Sequence, residues 1–166
     1  MRRPLTSILL LLLASGAARA QAPDAPRWHD LPAALAAARA EGRPVLVYVH
    51  ALWCGPCRRM ERTVFAEPGV RPLLARFALA RLDYGDHSTP LTIGGQTRSP
   101  AGWARHLGAD ATPAFVLLRS DGTGITRMSG YIGAARFGRL LAYVATGAYR
   151  HASFEAYLRH AHSPPR

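Results

Sequence analysis

Both cysteines of the chain stand in one short stretch, Ala51-Leu52-Trp53-Cys54-Gly55-Pro56-Cys57-Arg58, and what flanks that stretch constrains the fold more than anything else in the sequence. Ahead of it, PVLVYVH, Pro44 to His50, is a continuous apolar and β-branched run that reads as a buried strand. Behind it, residues from Pro56 to Phe65 have helical spacing, with Met60, Val64 and Phe65 on one side and Arg58, Arg59 and Arg62 on another. The pair therefore sits at a strand-to-helix junction. A second helix, near Gly69 to Phe77, leads to the strand ALARLDY, Ala78 to Tyr84, and completes a β-α-β unit.

The remaining segments fit around that unit. Asp30 is placed to cap a helix with Pro32 in its first turn, and LPAALAAARA runs on to Gly42 as the stop. The stretch from Gly85 to Pro100, GDHSTPLTIGGQTRSP, is rich in turn formers and is not expected to be a core element. A short helix over Ala101 to Leu107 should follow. Thr112-Pro113 then opens the strand AFVLLR, and Ser120-Asp121-Gly122-Thr123 turns into a return strand near Ile125 to Ser129. Gly130 to Gly133 releases the chain into a helix from about Ala134 to Thr146, and an amphipathic helix over Ser153 to His160 precedes the end HSPPR.

Two cysteines at this spacing are compatible with a haem tether, half a metal site, a structural staple or a redox centre. Haem attachment needs a histidine directly after the second cysteine, and Arg58 stands there. A structural zinc site needs four ligands, and neither a second cysteine pair nor a suitably spaced histidine pair is present. A disulfide closing so small a ring restricts the unfolded chain little, so a purely structural role gains little. Copper bound through His50 or His106 stays open as a minor alternative. Redox chemistry fits best. A thiol in the first turn of a helix faces unpaired backbone N–H groups and the positive end of the helix dipole, which favour the thiolate. Cys54 occupies that place as the candidate nucleophile. Cys57, one turn further on, is placed to attack a mixed disulfide on Cys54 and release the partner as a thiol.

The beginning of the chain bears on where such chemistry takes place. MRRPLTSILLLLLASGAARA carries two early arginines, an apolar run from Ile8 to Ala14, and the small-x-small triplet Ala18-Arg19-Ala20. That three-part pattern reads as a secretory signal peptide over 1–20. Its apolar run is far short of the roughly 20 residues that span a bilayer. No later segment is long and apolar enough to cross a membrane either. Export points to the periplasm and leaves residues 21–166 as one domain, with a helical extension from about 147.

Charge qualifies the choice of partners. All 21 basic residues are arginine, and Arg2, Arg3 and Arg19 fall in the leader, so 18 remain against 10 carboxylates, a formal +8 beyond residue 20. The arginines are scattered and no aromatic-basic platform accompanies them, so nucleic-acid binding is not expected. A basic surface still steers acidic partners.

WCGPC after a buried strand, with Thr112-Pro113 and a β-hairpin downstream, resembles the thioredoxin superfamily over roughly Ala33 to Val144. The resemblance implies an α/β thioredoxin fold, a central mixed four-stranded sheet flanked by helices. It implies that Pro113 is cis and lies against the disulfide, with Thr112 offering its backbone to substrate peptide. It implies also that Trp53 flanks the active site, with plain core packing as the alternative, and that Gly55 and Pro56 match thioredoxin itself. The run CRRMERTVFAEPGVRPLL is similar to exported members, namely the C-terminal domain of the electron carrier DsbD and, more closely, the periplasmic thioredoxins associated with sulfur oxidation. The latter also share a loop-rich insert, a pair like Gly130-Tyr131 and a tail like GAYRHASFEAYL.

One departure concerns the proton. The aspartate that thioredoxins bury six residues before the first cysteine is Tyr48 in this chain. Glu61, four residues after Cys57, is the candidate replacement; its alternative is a solvated helix glutamate paired with a nearby arginine. The resulting expectation is a monomeric periplasmic reductase of disulfides in exported proteins. It needs no cofactor or metal and takes electrons from a membrane carrier of the DsbD type. An oxidase or isomerase, and a redox-inert or metal-carrying module, are the alternatives.

Overall fold

The computed structural model describes residues 25–160. The leader and its cleavage site, like the terminal HSPPR, lie outside the described residues. The first helix, α1 (Leu31–Glu41), begins where the Asp30 carboxylate accepts the Ala33 N–H at 2.7 Å and ends at Gly42, whose φ of 65° is the left-handed stop. Strand β1 (Val45–His50) follows, then α2 (Gly55–Arg59), a π turn over Met60–Val64, α3 (Arg71–Leu74) and β2 (Ala78–Asp83). The chain continues through β3 (Leu91–Ile93), β4 (Gln96–Arg98), α4 (Pro100–His106), β5 (Ala114–Leu118), β6 (Gly124–Ser129), α5 (Ala134–Ala145), a short 3₁₀ turn and α6 (Phe154–His160).

The four long strands form one mixed sheet in the order β2-β1-β5-β6, with β1 and β2 parallel and the other pairs antiparallel. This is the α/β architecture expected. Leu46 and Tyr48 of β1 face a core shared with α2, the π turn, α5 and α6, while Val45, Val47 and Val49 face a second core under α1 and α4. Burial on both faces explains why this strand carries no polar alternation.

Three local outcomes differ from the sequence reading. The helix expected over Gly69 to Phe77 is α-helical only at Arg71–Leu74, because the backbone on either side closes tighter i→i+3 turns, Val70 N–H to the Glu67 carbonyl before it and Arg76 and Phe77 N–H to the Leu73 and Leu74 carbonyls after it. The turn-rich insert holds a two-stranded hairpin, β3 with β4, pairing Ile93 with Gln96 across Gly94 and Gly95. Both glycines have positive φ, 57° and 79°, as a two-residue hairpin turn requires, so the Gly-Gly pair is the local signal for this hairpin. Finally, the helix after the cysteines widens to i→i+5 bonding, with Phe65 N–H donating to the Met60 carbonyl at 3.0 Å, which lets Met60, Val64 and Phe65 all reach the core.

Candidate active site

Cys54 is the N-cap of α2, and it forms a disulfide with Cys57. The Cys54 sulfur also accepts the Cys57 backbone N–H at 3.1 Å, so one of the helix's unpaired donors points at the atom where thiolate charge would develop. Burial repeats every third residue, at Ala51, Cys54, Cys57 and Met60, while Gly55 and Pro56 between the cysteines are exposed. Both sulfurs therefore sit against the protein, with the Gly-Pro turn outside them.

Trp53 is 69% exposed and Leu52 82%, so Trp53, next to Cys54 in the chain, is not packed in the core. The antiparallel register of β1 with β5, Val49 opposite Ala114, carries Thr112 and Pro113 to the sheet end from which the cysteine loop leaves. The Thr112-Pro113 peptide is cis, and the Pro113 carbonyl accepts the Gly130 N–H at 2.7 Å. That bond anchors the loop bearing Tyr131, which is 39% exposed and lies under the Arg59 guanidinium, 4.4 Å from ring centroid to Cζ. Neither Leu52 nor Tyr131 was singled out from sequence as a rim residue; an apolar side chain directly ahead of the motif was the available signal for Leu52.

Below the disulfide, Tyr48 is fully buried, stacked on Phe115 at 5.5 Å between centroids. Its hydroxyl lies 3.3 Å from the Cys57 carbonyl oxygen and 3.4 Å from Glu61 Oε1. Burial first, and the neighbouring Glu61 charge second, push the Tyr48 phenol well above its ordinary value, so it remains a neutral donor. Glu61 Oε1 is ion-paired with Arg81 of β2, whose guanidinium also lies 5.4 Å from the Tyr48 ring. The arginine partner thus comes from a strand 20 residues away and not from Glu61's own helix. A cleft of about 230 Å³, lined by Trp28, Glu61, Phe65, Arg71 and Arg81 among others, opens this carboxylate to solvent. The structure joins Glu61 to Cys57 through the Tyr48 hydroxyl and the Cys57 backbone.

His50, at the end of β1, stacks on Tyr48 at 5.6 Å, and its basicity is lowered by burial and then by Arg81. His106, on α4, meets Trp103 edge to face. Among the described residues no group of three or more His, Cys, Asp or Glu side chains is placed to hold a metal, and no helix is long and apolar enough to cross a membrane.

A family model described as a thioredoxin-like domain matches residues 31–145. The thiol:disulfide interchange protein DsbD 2 of Pseudomonas aeruginosa is 50% identical over 54 residues, covering 32% of this chain. The chain matches only 9% of that relative's length. Among solved structures, a thioredoxin from Thermus thermophilus is 32% identical over 78% of this chain and 98% of its own, with a TM-score of 0.60. The C-terminal domain of DsbD from Neisseria meningitidis shares the fold, with a TM-score of 0.52 at 19% identity over 68% of this chain and 91% of its own.

Proposed function

The chain belongs to the thioredoxin-like domain family and is a thiol-disulfide oxidoreductase; within that activity we propose that it reduces disulfides in exported proteins in the periplasm. The observation that carries this reading is the Cys54-Cys57 disulfide closed around Gly55-Pro56 at the N-cap of α2. Gly-Pro is the dipeptide of thioredoxin, a reductant with a potential of about −270 mV. The leader pattern over residues 1–20 supports export, and the likeness to interchange proteins supports electron supply from a membrane carrier of the DsbD type.

The reaction begins from the dithiol. The Cys54 thiolate attacks one sulfur of the client disulfide; that S–S bond breaks, and the client's other sulfur leaves as a thiolate that takes up a proton. Cys57 then gives up its proton and attacks the Cys54 sulfur. The Cys54–client bond breaks, the second client sulfur leaves as a thiolate, and the Cys54-Cys57 disulfide remains. Two electrons have passed to the client, and a dithiol donor returns them by the reverse exchange.

Trp53, beside Cys54 in the chain, and Thr112 and Pro113, at the sheet end from which the cysteine loop leaves, receive the client backbone and side chains. Glu61 accepts the Cys57 proton, directly or through water, and passes it to solvent through the adjoining cleft. Equilibration with glutathione tests the direction of the reaction. A potential near about −270 mV together with accelerated insulin reduction is expected, whereas one near about −120 mV assigns an oxidase. A pair with no measurable exchange assigns a redox-inert binding module.

A further inference from the structure

Three large apolar side chains are exposed among the described residues, Leu52, Trp53 and Tyr131, and all three border the cysteine motif. Leu52 and Trp53 immediately precede Cys54, and Tyr131 is held against α2 by Arg59. Exposed apolar surface gathered at one reactive group marks a contact face. Its charge is uneven. Arg58 donates from Nη1 to the Leu52 carbonyl at 2.9 Å, and its Nη2 would lie 3.9 Å from a Cβ placed on Gly55, so this guanidinium lies along the motif. Arg59 lies over Tyr131 on the other flank.

Neither guanidinium forms an ion pair with a carboxylate of the described residues: Glu41 pairs with Arg43, Glu155 with Arg136, and Glu61, the acid on the same helical segment, with Arg81 below. Beyond Trp53 the sign reverses. Gly85 borders the Trp53 indole, Asp83 accepts the Gly85 N–H, and Asp86 stays ionised down to about pH 2 because the Thr89 side chain and the backbone N–H groups of Thr89 and Ser88 hold its carboxylate.

We propose that this face selects protein clients whose reacting cysteine is flanked by Asp or Glu, with that acidic flank laid along α2 between Arg58 and Arg59. Covering two guanidiniums with an apolar or basic segment strips their water without replacing it. A carboxylate replaces it with charge-assisted hydrogen bonds to N–H groups that Arg58 and Arg59 still have free. The aspartates beyond Trp53 repel the same flank, which fixes the orientation of the client. The positive net charge of the chain steers the encounter.

The proposal rests on the reductase reading, so the test keeps the two apart. Two peptides share one internal disulfide and differ only in Glu or Lys flanks, and hydroxyethyl disulfide serves as an uncharged substrate. The reduced protein is expected to favour the Glu peptide in kcat/KM by about tenfold at low salt, with the ratio falling towards one as salt rises. Arg58→Gln with Arg59→Gln should remove most of that preference. The pair Arg76→Gln and Arg119→Gln, far from the motif and equal in charge change, should keep it. Equal rates for both peptides, or equal losses in both double variants, overturn the proposal while turnover of hydroxyethyl disulfide preserves the reductase reading. If neither the peptides nor hydroxyethyl disulfide is reduced, that reading falls. Binding of the oxidised protein to the same peptides with serine in place of cysteine then decides the docking by itself: tighter binding of the Glu peptide supports it, and equal binding overturns it.

Discussion

The Tyr48 hydroxyl stands 3.3 Å from the carbonyl oxygen of Cys57, so the residue at the position of the family's buried aspartate touches the backbone of the proposed resolving cysteine. With one proton to donate, it serves either that carbonyl or Glu61 at a given moment. Tyr48→Phe keeps the ring packed on Phe115 and removes one hydrogen bond, while the Cys57 carbonyl still accepts the Met60 N–H and Glu61 keeps Arg81. The expected loss of stability is about 0.5–1.5 kcal/mol, read as a lower urea midpoint at unchanged slope. An unchanged midpoint would show that the hydroxyl contributes nothing net.

Glu61→Gln keeps the size of the side chain and removes both the ion pair with Arg81 and the proposed proton acceptor. Resolution of the mixed disulfide by Cys57 should slow by about 10²-fold, and adducts on Cys54 should accumulate. Stopped-flow kinetics from about pH 6 to 9 measure the step. Identical pH-rate profiles for variant and parent would confine Glu61 to its salt bridge.

Cys54 should be the first thiol alkylated in the reduced protein below the ordinary thiol range of about 8.5, since it is the one at the helix N-cap. Mapping iodoacetamide adducts against pH checks the order, and prior labelling of Cys57 would reverse the roles. Cys57→Ser should then trap clients on Cys54, where their sequences can be read.

His50 carries a pH signature. Burial and Arg81 lower its proton affinity in the folded state, so below the unfolded value of about 6.5 the unfolded chain binds the extra proton first. Stability is therefore full above about pH 6.5 and declines on acidification until folded His50 also protonates. His50→Asn should flatten that decline in urea unfolding series between about pH 7.5 and 5. The carboxylates held low, Asp86 and Asp121, act at lower pH and leave this window clear.

Phe115 is fully buried between Tyr48, at 5.5 Å, and Phe137, at 5.0 Å. Truncation to alanine should cost about 3–5 kcal/mol, a large share of a small domain's stability, while Phe115→Leu should cost less. Thermal unfolding of the two variants gives the comparison. Equal, small losses would mean that the aromatic cluster closes over the cavity.

Much of the frame was legible along the chain because its signals are local. An apolar run without alternation marks a strand buried on both faces, as β1 is. Asp30 and Gly42 bound α1 because a cap and a left-handed stop need only neighbouring backbone. The WCGPC spacing put two thiols on one helical turn, and the resemblance it carries added the cis Thr112-Pro113 peptide. What surrounds the thiols is not local. Glu61 reaches Arg81 because the parallel register of β1 and β2 sets Tyr48 beside Arg81, and no periodicity in either segment encodes that pairing. The π turn, the exposure of Leu52 and Trp53, and Arg59 over Tyr131 likewise depend on how α2 lies against the sheet and the loop after β6. Sequence pattern fixes which face a side chain takes within its own element, but the partner it meets across elements is decided by strand register, helix placement and side-chain reach, which exist only once the chain has packed.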